Sequence, residues 1–375
     1  MFTIASNVLK DKVGDFAAAY RKALVDVPVV VSANIDTQKI TLNFTSTEIS
    51  LSLDFDADVK ASANFVVAMQ ELFTKVSALP KDSLIAFEKS TTGNYKIKWG
   101  KSNLLHLSVK KDPLLQTPST IEFAKSVVFS TSQWQYFTLN FVPFCSIRGS
   151  ETFKRFPATV GVNFRKLDNH VCVTATNVSR IIYNRFDFEW FDEALTISRN
   201  TFNVVNSLLG KENLTISLSD NRTNIVISTE NATITARLLT DEYPNVEPFF
   251  NPLKNDIVWR LDRLELLEVA KRIRHIDSEN PKITLLERTE KTFAQLEGVL
   301  IEQLGGVIET ELKSNICLDA GSLEGALTVL RGDEVLLALA EGELSPVVLY
   351  NAPIDEGTEE NVEDYLKVVL GQVKK

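Results

Sequence analysis

The sequence predicts an α+β fold in which one domain plan is repeated three times in tandem. In three stretches of the chain, a short amphipathic helix is followed by two or three strands of alternating polarity. Equivalent strand positions are Leu84, Leu214 and Val335, so the pattern recurs about every 125 residues, an ordinary domain size. The predicted domains span residues 1–125, 126–252 and 253–375.

The middle copy shows the plan most clearly. Its helix-like run TFNVVNSLLG places Phe202 and Val205 on one face and stops at a glycine. The runs NLTISLSDN and TNIVISTENATITARLL alternate apolar and polar residues, as half-buried strands do. The phrase DEYPNVEPFF closes the copy.

The outer copies and the start of the middle copy add further elements. An amphipathic helix is predicted around Leu9, Val13 and Phe16, and a second one from Phe65 onward. In the run QWQYFTLNFVPFCS, we expect a helix that Pro143 kinks or ends. The run DIVWRLDRLELLEVAKRIRHI predicts a strand followed by a helix.

Composition restricts the class of protein. The chain has 375 residues, of which 44% are hydrophobic and 24% charged, and no apolar run approaches the roughly 20 residues of a membrane span. The first residues lack the basic start and apolar core of a signal peptide, so we expect a cytoplasmic protein without membrane contact. Three distant cysteines favour reduced, buried thiols over a disulfide frame or a metal site.

The charge and the motifs argue against two common functions. A conventional DNA-binding domain is basic, whereas this chain carries a net charge of −9. An acidic protein can still hold DNA if its positive charge is gathered on one face. No glycine-rich phosphate loop, Gly-x-Ser-x-Gly elbow or His-Glu-x-x-His helix occurs, and the three histidines are isolated in sequence. A hydrolase or transferase would need a cluster of perturbed titratable groups, for which the sequence offers no candidate.

The repeat, the length and the run ARLLTDEYPNV together resemble the bacterial-type DNA sliding clamp, the β subunit of DNA polymerase III. The resemblance covers the whole chain and is strongest at 197–250 and 257–273. It implies clamp domains of two helices packed on antiparallel sheets, and a head-to-tail homodimeric ring of six domains around duplex DNA. Such a ring tethers the replicative polymerase and confers processivity, without a cofactor, a metal or a reaction of its own.

The resemblance also implies a docking pocket between the second and third domains. Short linear peptides of the polymerase and of the clamp loader, carrying glutamine, leucine and phenylalanine, would enter it. Its lining here would be Thr159, Thr176, Val178, Ser179, Arg180, Ile181, Pro244, Pro248, Phe249, Val368, Val369 and Leu370. Ile181, Pro244 and Val369 fit plain core packing equally well. Arg180 is the stronger candidate, because an arginine inside an apolar strand and turn needs a partner.

Several pocket positions depart from the usual pattern of the clamps. The turn that typically reads Asp-Gly-His-Arg-Leu reads Asn-Val-Ser-Arg-Ile here, over 177–181. Pro248 replaces a usual basic residue, and Leu370-Gly371 replaces the usual Met-Pro. These departures favour an alternative, a clamp paralogue from a phage, a plasmid or a repair system, with altered partner specificity or inhibitor binding.

Two further surfaces follow from the resemblance. Sequence-independent contacts with DNA phosphates would come from basic residues in or beside the helices, although each one could equally be a solvated surface charge. These residues are Lys10, Lys12, Arg21, Lys22, Lys75, Arg199, Lys211, Lys271, Arg274 and Arg331. The dimer interface would use Leu105, His106, Leu107, Ile273, Arg274 and His275. Since charge replaces apolar contacts there, we expect a loose dimer, which would be pH-sensitive if the histidines are buried near Arg274.

Overall fold

Helices packed on antiparallel sheets make up the computed structural model, which describes residues 1–110, 123–249, 257–289, 291–308, 315–339, 346–351 and 366–373. This confirms the predicted α+β class. The helices are α1 (Ser6–Ala23), α2 (Met69–Ser77), α3 (Thr131–Asn140), α4 (Glu151–Arg155), α5 (Arg199–Asn206), α6 (Arg263–Ile276) and α7 (Ala320–Val329). Short 3-10 turns span Val142–Phe144, Pro157–Val160 and Glu247–Phe249.

The described strands are mostly short, and several alternate buried and half-buried residues as predicted. The first ten are β1 (Phe2–Ala5), β2 (Val29–Asn34), β3 (Lys39–Thr45), β4 (Ile49–Asp56), β5 (Asp58–Val59), β6 (Ala63–Val67), β7 (Leu84–Lys89), β8 (Tyr95–Trp99), β9 (Asn103–Leu107) and β10 (Phe123–Phe129). The next eight are β11 (Gly161–Leu167), β12 (His170–Thr176), β13 (Arg180–Phe186), β14 (Leu195–Ser198), β15 (Leu214–Ser219), β16 (Asn224–Ser228), β17 (Ala232–Arg237) and β18 (Ile257–Asp262). The last eight are β19 (Lys282–Arg288), β20 (Lys291–Leu296), β21 (Leu300–Leu304), β22 (Gly306–Ile308), β23 (Ile316–Asp319), β24 (Glu334–Leu339), β25 (Val347–Asn351) and β26 (Lys367–Leu370).

The chain divides into two compact units. Unit 1 comprises residues 1–138 and 197–239, and unit 2 comprises 139–196 and 240–375. In unit 1, one sheet has the strand order β5-β1-β7-β8-β9 and another the order β10-β15-β16-β17-β4-β3-β2-β6. In unit 2, the strands β11-β12-β13-β26-β25-β24-β18-β22 are consecutive neighbours in one sheet, and a second sheet has the order β21-β20-β19-β23.

Each unit combines strands from two of the predicted repeats. In unit 1, β4 pairs with β17, so strands before and after the predicted boundary at 125/126 belong to one ladder. In unit 2, β13 pairs with β26 in the same antiparallel manner. Because these hydrogen-bonded ladders join strands of neighbouring repeats, the two compact units follow the sheets and do not coincide with the predicted repeats. The three-domain division stays a prediction, and its second boundary, at 252/253, lies outside the described residues.

Aromatic side chains fasten helices to sheets and to other helices within unit 1. Phe16 of α1 meets Phe44 of β3 edge to face, with ring centres 5.7 Å apart. Trp134 of α3 stacks on Phe202 of α5 at 4.5 Å, and both rings are fully buried. Burying such a ring contributes roughly 1.5–3 kcal/mol each. These contacts explain why weakly helical, aromatic runs in this sequence still form helices.

Two predicted helix boundaries can now be compared with the structure. The expectation of a helix from Phe65 is wrong, because 63–67 forms β6 and α2 starts only at Met69. The bulky and β-branched run Phe65-Val66-Val67 favours a strand and pairs with β2. The expected effect of Pro143 is confirmed, since α3 ends at Asn140 and a 3-10 turn follows over 142–144.

Other sequence-based expectations concern the cysteines and the membrane. Cys145, Cys172 and Cys317 are all buried and free, as predicted. Among the described helices, none combines the length and the apolar character that a membrane crossing requires.

Gly306, at the start of β22, has a conformation that tolerates no side chain. Its φ is +148°, and a Cβ there would overlap the carbonyl oxygen of Arg260 and lie 2.9 Å from Cα of Leu261. We predict that Gly306→Ala lowers the free energy of unfolding by roughly 2–4 kcal/mol, measured by urea denaturation. The control is Gly298→Ala, because Gly298 also has a positive φ but no atom within 4 Å of the added Cβ. We expect it to cost only about 1–2 kcal/mol, and equal losses would contradict the overlap.

Candidate functional site

All the predicted pocket residues fall in unit 2, around the turn between β12 and β13 and the neighbouring strand β26. The register pairs Arg180 with Leu370 and Ile181 with Val369. Residues directly opposite each other share a face of a sheet, whereas successive residues of a strand point to opposite faces. The predicted residues are therefore divided between the two faces, and a single pocket wall cannot contain them all.

Arg180 lies on the face that α7 covers. Its Nη2 donates a hydrogen bond to the carbonyl oxygen of Pro143 at 2.7 Å, and the guanidinium lies 5.2 Å from the ring centre of Phe144. A Cβ on Gly325 of α7 would come within 3.3 Å of Nη1. Arg180 thus connects β13 with the 142–144 turn and with α7. The polar partner that was expected for an arginine in apolar surroundings is therefore a backbone carbonyl group of the same chain.

The opposite face carries an apolar cluster. Cys172, Ile181, Tyr183, Val246 and Val369 form it, and Val348 packs against them. Val246 belongs to the segment 243–249, so the segment is held on the sheet by this side chain. Ile181 and Val369 are 5% and 2% exposed, which supports the core-packing interpretation for both residues.

The hydroxyl group of Tyr183 makes polar contacts at the edge of this cluster. The hydroxyl of Tyr183 lies 3.2 Å from Sγ of Cys172 and accepts a hydrogen bond from Nε of Arg185 at 2.7 Å. Burial raises the pKa of Tyr183, and the contact with Cys172 raises it further, while Arg185 opposes the change. The phenol is therefore neutral around pH 7 and acts as a structural hydrogen-bonding group.

The segment 243–249 is attached to the sheet at three points. The hydroxyl of Tyr243 donates to the carbonyl oxygen of Thr174 at 3.4 Å, and its burial raises the pKa of Tyr243 well above the usual range. Val246 enters the apolar cluster, and Glu247 forms an ion pair with Arg165 of β11. The chain beyond these anchors leaves Pro248 and Phe249 exposed, Phe249 by 45%.

The turn 176–180 is held by a dense set of hydrogen bonds. Oγ1 of Thr176 accepts from the N–H of Val178 at 2.9 Å and donates to the carbonyl oxygen of Arg180 at 2.9 Å. Oδ1 of Asn177 accepts from Oγ of Ser179 at 2.9 Å and from the N–H of Arg180 at 3.0 Å. Within this frame Val178 has a φ of +75°, in the left-handed region, and its side chain is exposed.

Thr159 connects this region to a segment that the sequence analysis did not include. Its buried hydroxyl lies 2.8 Å from Oγ of Ser146 and donates to the carbonyl oxygen of Phe156 at 2.7 Å. Phe156 and Ile147 are exposed apolar residues of this segment. The signal that could have identified it is the run IRGSETFKRF, in which large apolar residues are interspersed with basic ones.

The structure thus separates the predicted pocket residues by accessibility. Those with surface to offer a ligand are Val178, Ser179, Arg180, Pro244, Pro248 and Phe249, which are exposed or half-buried. The buried ones are Thr159, Thr176, Ile181, Val368, Val369 and Leu370. Docking at this site stays a prediction, which now depends on the first group.

The predicted DNA contacts differ in their protein partners and in their exposure. Several already have protein partners: Lys10 donates to the carbonyl oxygen of Leu79, Lys75 pairs with Glu71, Lys271 with Glu268 and Arg274 with Glu324. Lys75 also donates to the carbonyl oxygen of His106, which ties α2 to β9. The exposed members of the predicted set are Arg21, Lys22, Lys211, Lys271, Arg274 and Arg331, and Lys12 and Arg199 are half-buried.

The predicted dimer residues also differ in accessibility. Leu107 and Ile273 are fully buried in their own units, and Leu105 is half-buried. His106 and His275 are exposed, so burial of the histidines near Arg274 is not present within one chain. Whether a second copy would bury them stays a prediction.

A metal site needs several ligating side chains close together. Across the part of the chain that the structure describes, no three His, Cys, Asp or Glu side chains come together as a metal ion would require.

The chain has the fold of bacterial DNA polymerase III β sliding clamps. It is similar to the sliding clamp of Bacillus subtilis, with a TM-score of 0.82 and 16% identity, and to that of Pseudomonas aeruginosa, also with 0.82 and 16%. It is similar to the clamp of Bartonella birtlesii bound to griselimycin, with a TM-score of 0.84 and 17% identity. Each comparison covers 100% of this chain and 99% of the other. No protein-family model and no curated protein matches the sequence.

The contacts of Arg180 generate a stability prediction. We expect Arg180→Ala to lower the free energy of unfolding by roughly 2–3 kcal/mol, because a charge-assisted hydrogen bond and a cation–π contact are lost. Thermal and urea unfolding would measure the change. Arg155→Ala is the matched control, since Arg155 is exposed and lies 6.0 Å from the ring of Phe156. A loss for Arg180→Ala no larger than that for the control would contradict the bridging role.

Proposed function

We propose that this protein is a DNA sliding clamp, a homodimeric ring that encircles duplex DNA and tethers a polymerase to it. The observation that carries the proposal is the match of the whole chain to bacterial sliding clamps, at TM-scores of 0.82–0.84. Retention on DNA would come from topology together with weak, sequence-independent phosphate contacts. Tethering raises the effective concentration of the polymerase at the primer end. The clamp performs no reaction, requires no cofactor and works in the cytoplasm.

Ring closure has a candidate pair of strands in the described residues. β9 is the last strand of its sheet in unit 1, with Leu104 and His106 exposed. β21 is the last strand of its sheet in unit 2, with Ile301 exposed by 49%. Unpaired strand edges readily pair with another chain. We infer that β9 of one subunit pairs with β21 of the other, which produces a head-to-tail dimer.

Duplex DNA would be held by basic side chains that are exposed to solvent. The exposed residues Lys22, Lys211 and Arg331 serve this role best, together with Arg21, which also lies over the ring of Phe73. Lys75 serves it less well, because it is committed to Glu71 and β9. An overall charge of −9 keeps the remaining surface repulsive to DNA, which limits tight static binding.

Polymerase and clamp-loader peptides would dock at the exposed part of the 176–180 turn and of the 243–249 segment. Apolar residues with a few polar anchors are usual in such sites, and Val178, Pro244 and Phe249 together with Ser179 fit that description. One solved clamp of this fold carries griselimycin, which makes that compound a suitable probe.

A clamp paralogue with a different partner is the alternative. The observation in its favour is Val178 at a position where the clamps typically have glycine, combined with Pro248 in place of a basic residue. Binding of the replicative polymerase's own docking peptide would support the main proposal. Binding of a repair enzyme's peptide in its place would support the paralogue.

The proposal is tested by mass and by retention on DNA. Light scattering over a concentration series is expected to give about twice 41.9 kDa into the low micromolar range. After loading by a clamp loader, the protein is expected to stay on circular DNA and to slide off linear DNA. A monomer at all concentrations, or equal loss from both DNAs, would overturn the ring.

The inferred strand pairing predicts a position-specific effect on the dimer. We expect Ile301→Lys to raise the dimer dissociation constant at least roughly tenfold, because a hydrated charge would replace an apolar side chain on the interface strand. Analytical ultracentrifugation would measure it. Val307→Lys is the control, since Val307 is 60% exposed on β22, a strand at the end of a different sheet. An equal effect of the two substitutions would argue against β21 as the interface strand.

The attachment of β9 to α2 predicts a pH dependence of stability. Burial by itself would raise the pKa of Glu71, but hydrogen bonds from Lys75 and from the N–H of Ser108 bring it below its ordinary value. A carboxylate with a lowered pKa stabilises the fold above its ordinary pKa of about 4.3, and this contribution is lost as the pH falls.

We therefore expect wild-type protein to lose more stability between about pH 5 and pH 3 than Glu71→Gln does, in urea unfolding at each pH. The control is Glu151→Gln, because Glu151 pairs with Lys154 on an exposed surface. If Glu71→Gln and the wild type lose stability in parallel, Glu71 does not support β9 through its charge.

A further inference from the structure

Val178 occupies a backbone conformation that suits it poorly. Its φ of +75° lies in the left-handed region, where a β-branched side chain is strained and glycine is not. The other non-glycine residues with positive φ in the described chain are Leu24, Gln38, Asp82, Asp168, Arg222 and Thr289, so Val178 and Thr289 are the β-branched ones. Strain of this kind persists where the surroundings over-determine the conformation, often at functional sites.

The turn does not need the side chain of Val178 to form. The hydrogen bonds that close it use the N–H of Val178, the side chains of Thr176 and Asn177, and the backbone of Arg180. The N–H of Gly371 also donates to the carbonyl oxygen of Ser179 at 2.8 Å, which attaches the turn to the end of β26. A glycine at 178 would keep every one of these bonds and release the strain.

The side chain is instead presented to the outside. It is 53% exposed, at the tip of a turn that is fixed on both sides. Arg180 links the turn to the 142–144 segment, and the contacts of Ser146 and Thr159 continue that connection to Phe156. Exposed apolar groups at Ile147 and Phe156 therefore belong to segments anchored to the same turn. Val178 adds an aliphatic group to this region.

We propose that Val178 is a specificity-determining residue of the docking site, which gives up stability for an apolar contact with the partner peptide. The partner is a short peptide that places an aliphatic or aromatic side chain against Val178. The inference rests on the proposed docking function and deepens it, because it names the residue that sets this chain's preference.

The test compares stability with affinity in three variants. Val178→Gly removes both the strain and the contact. Val178→Thr keeps the β-branched shape and the strain but replaces a methyl group by a hydroxyl. Val128→Thr is the matched surface control, because Val128 is 63% exposed on β10 in unit 1. The probes are a short synthetic peptide containing glutamine, leucine and phenylalanine, and griselimycin, measured by calorimetry on the full chain.

The expected results run in opposite directions. Val178→Gly raises the melting temperature by roughly 2–4 °C and weakens peptide binding about fivefold, as loss of a half-buried aliphatic contact would. Val178→Thr leaves the melting temperature near that of the wild type and weakens peptide binding about twofold to fivefold. Val128→Thr changes neither the affinity for the peptide nor that for griselimycin. A purely structural role for Val178 would move stability without this opposite change in affinity.

Three results would overturn the inference. Equal peptide affinities for wild type, Val178→Gly and Val178→Thr would show that Val178 makes no selective contact. Binding by Val178→Gly but not by the wild type would show that Val178 excludes the ligand, with the docking site itself intact. An absence of binding of either probe by every variant would remove the proposed docking function and the inference together.

Discussion

The backbone ladder between β13 and β26 is the interaction on which the candidate site depends. Its register sets Arg180 opposite Leu370 and Ile181 opposite Val369, although the members of these pairs lie 190 and 188 positions apart in the chain. Because successive residues alternate between faces, the same register sends Arg180 towards α7 and Ile181 towards the apolar cluster. A shift of one residue would exchange the two faces and place the arginine in the apolar cluster.

The register also determines what the site can do. On one face, Arg180 donates a hydrogen bond to the carbonyl oxygen of Pro143 and lies over the ring of Phe144. Its charge therefore stabilises the fold. On the other face, Val246 fastens the 243–249 segment over the sheet. The exposed remainder is a hydrogen-bonded turn and a short segment with apolar side chains, and the proposed peptide docking depends on these groups. Fixed backbone and exposed apolar groups limit the ordering cost of binding.

Much of the fold could be predicted from the sequence, because helix and strand periodicities are local. The alternation of Leu214, Ile216 and Leu218 predicted the strand β15, in which all three are buried, and Pro143 correctly predicted the end of α3. The start of α2 was wrong, because the run Phe65-Val66-Val67 has strand propensity that pairing with β2 realises. The division of the predicted site residues between two faces of the sheet was not predicted, since alternation across faces separates neighbours such as Arg180 and Ile181.

The amino-acid sequence by itself determined the α+β class, the burial of the cysteines and the end of α3 before Pro143. These features depend on side-chain patterns over a few residues, where local sterics and hydrophobic periodicity decide the outcome. Only the tertiary structure decided that Lys75 donates a hydrogen bond to β9 and that Arg180 donates one to the carbonyl oxygen of Pro143. It also decided that Val178 has a strained backbone conformation. These features depend on contacts between residues that are far apart in the sequence and that strand pairing brings together. A pattern over a few neighbouring residues does not encode such contacts.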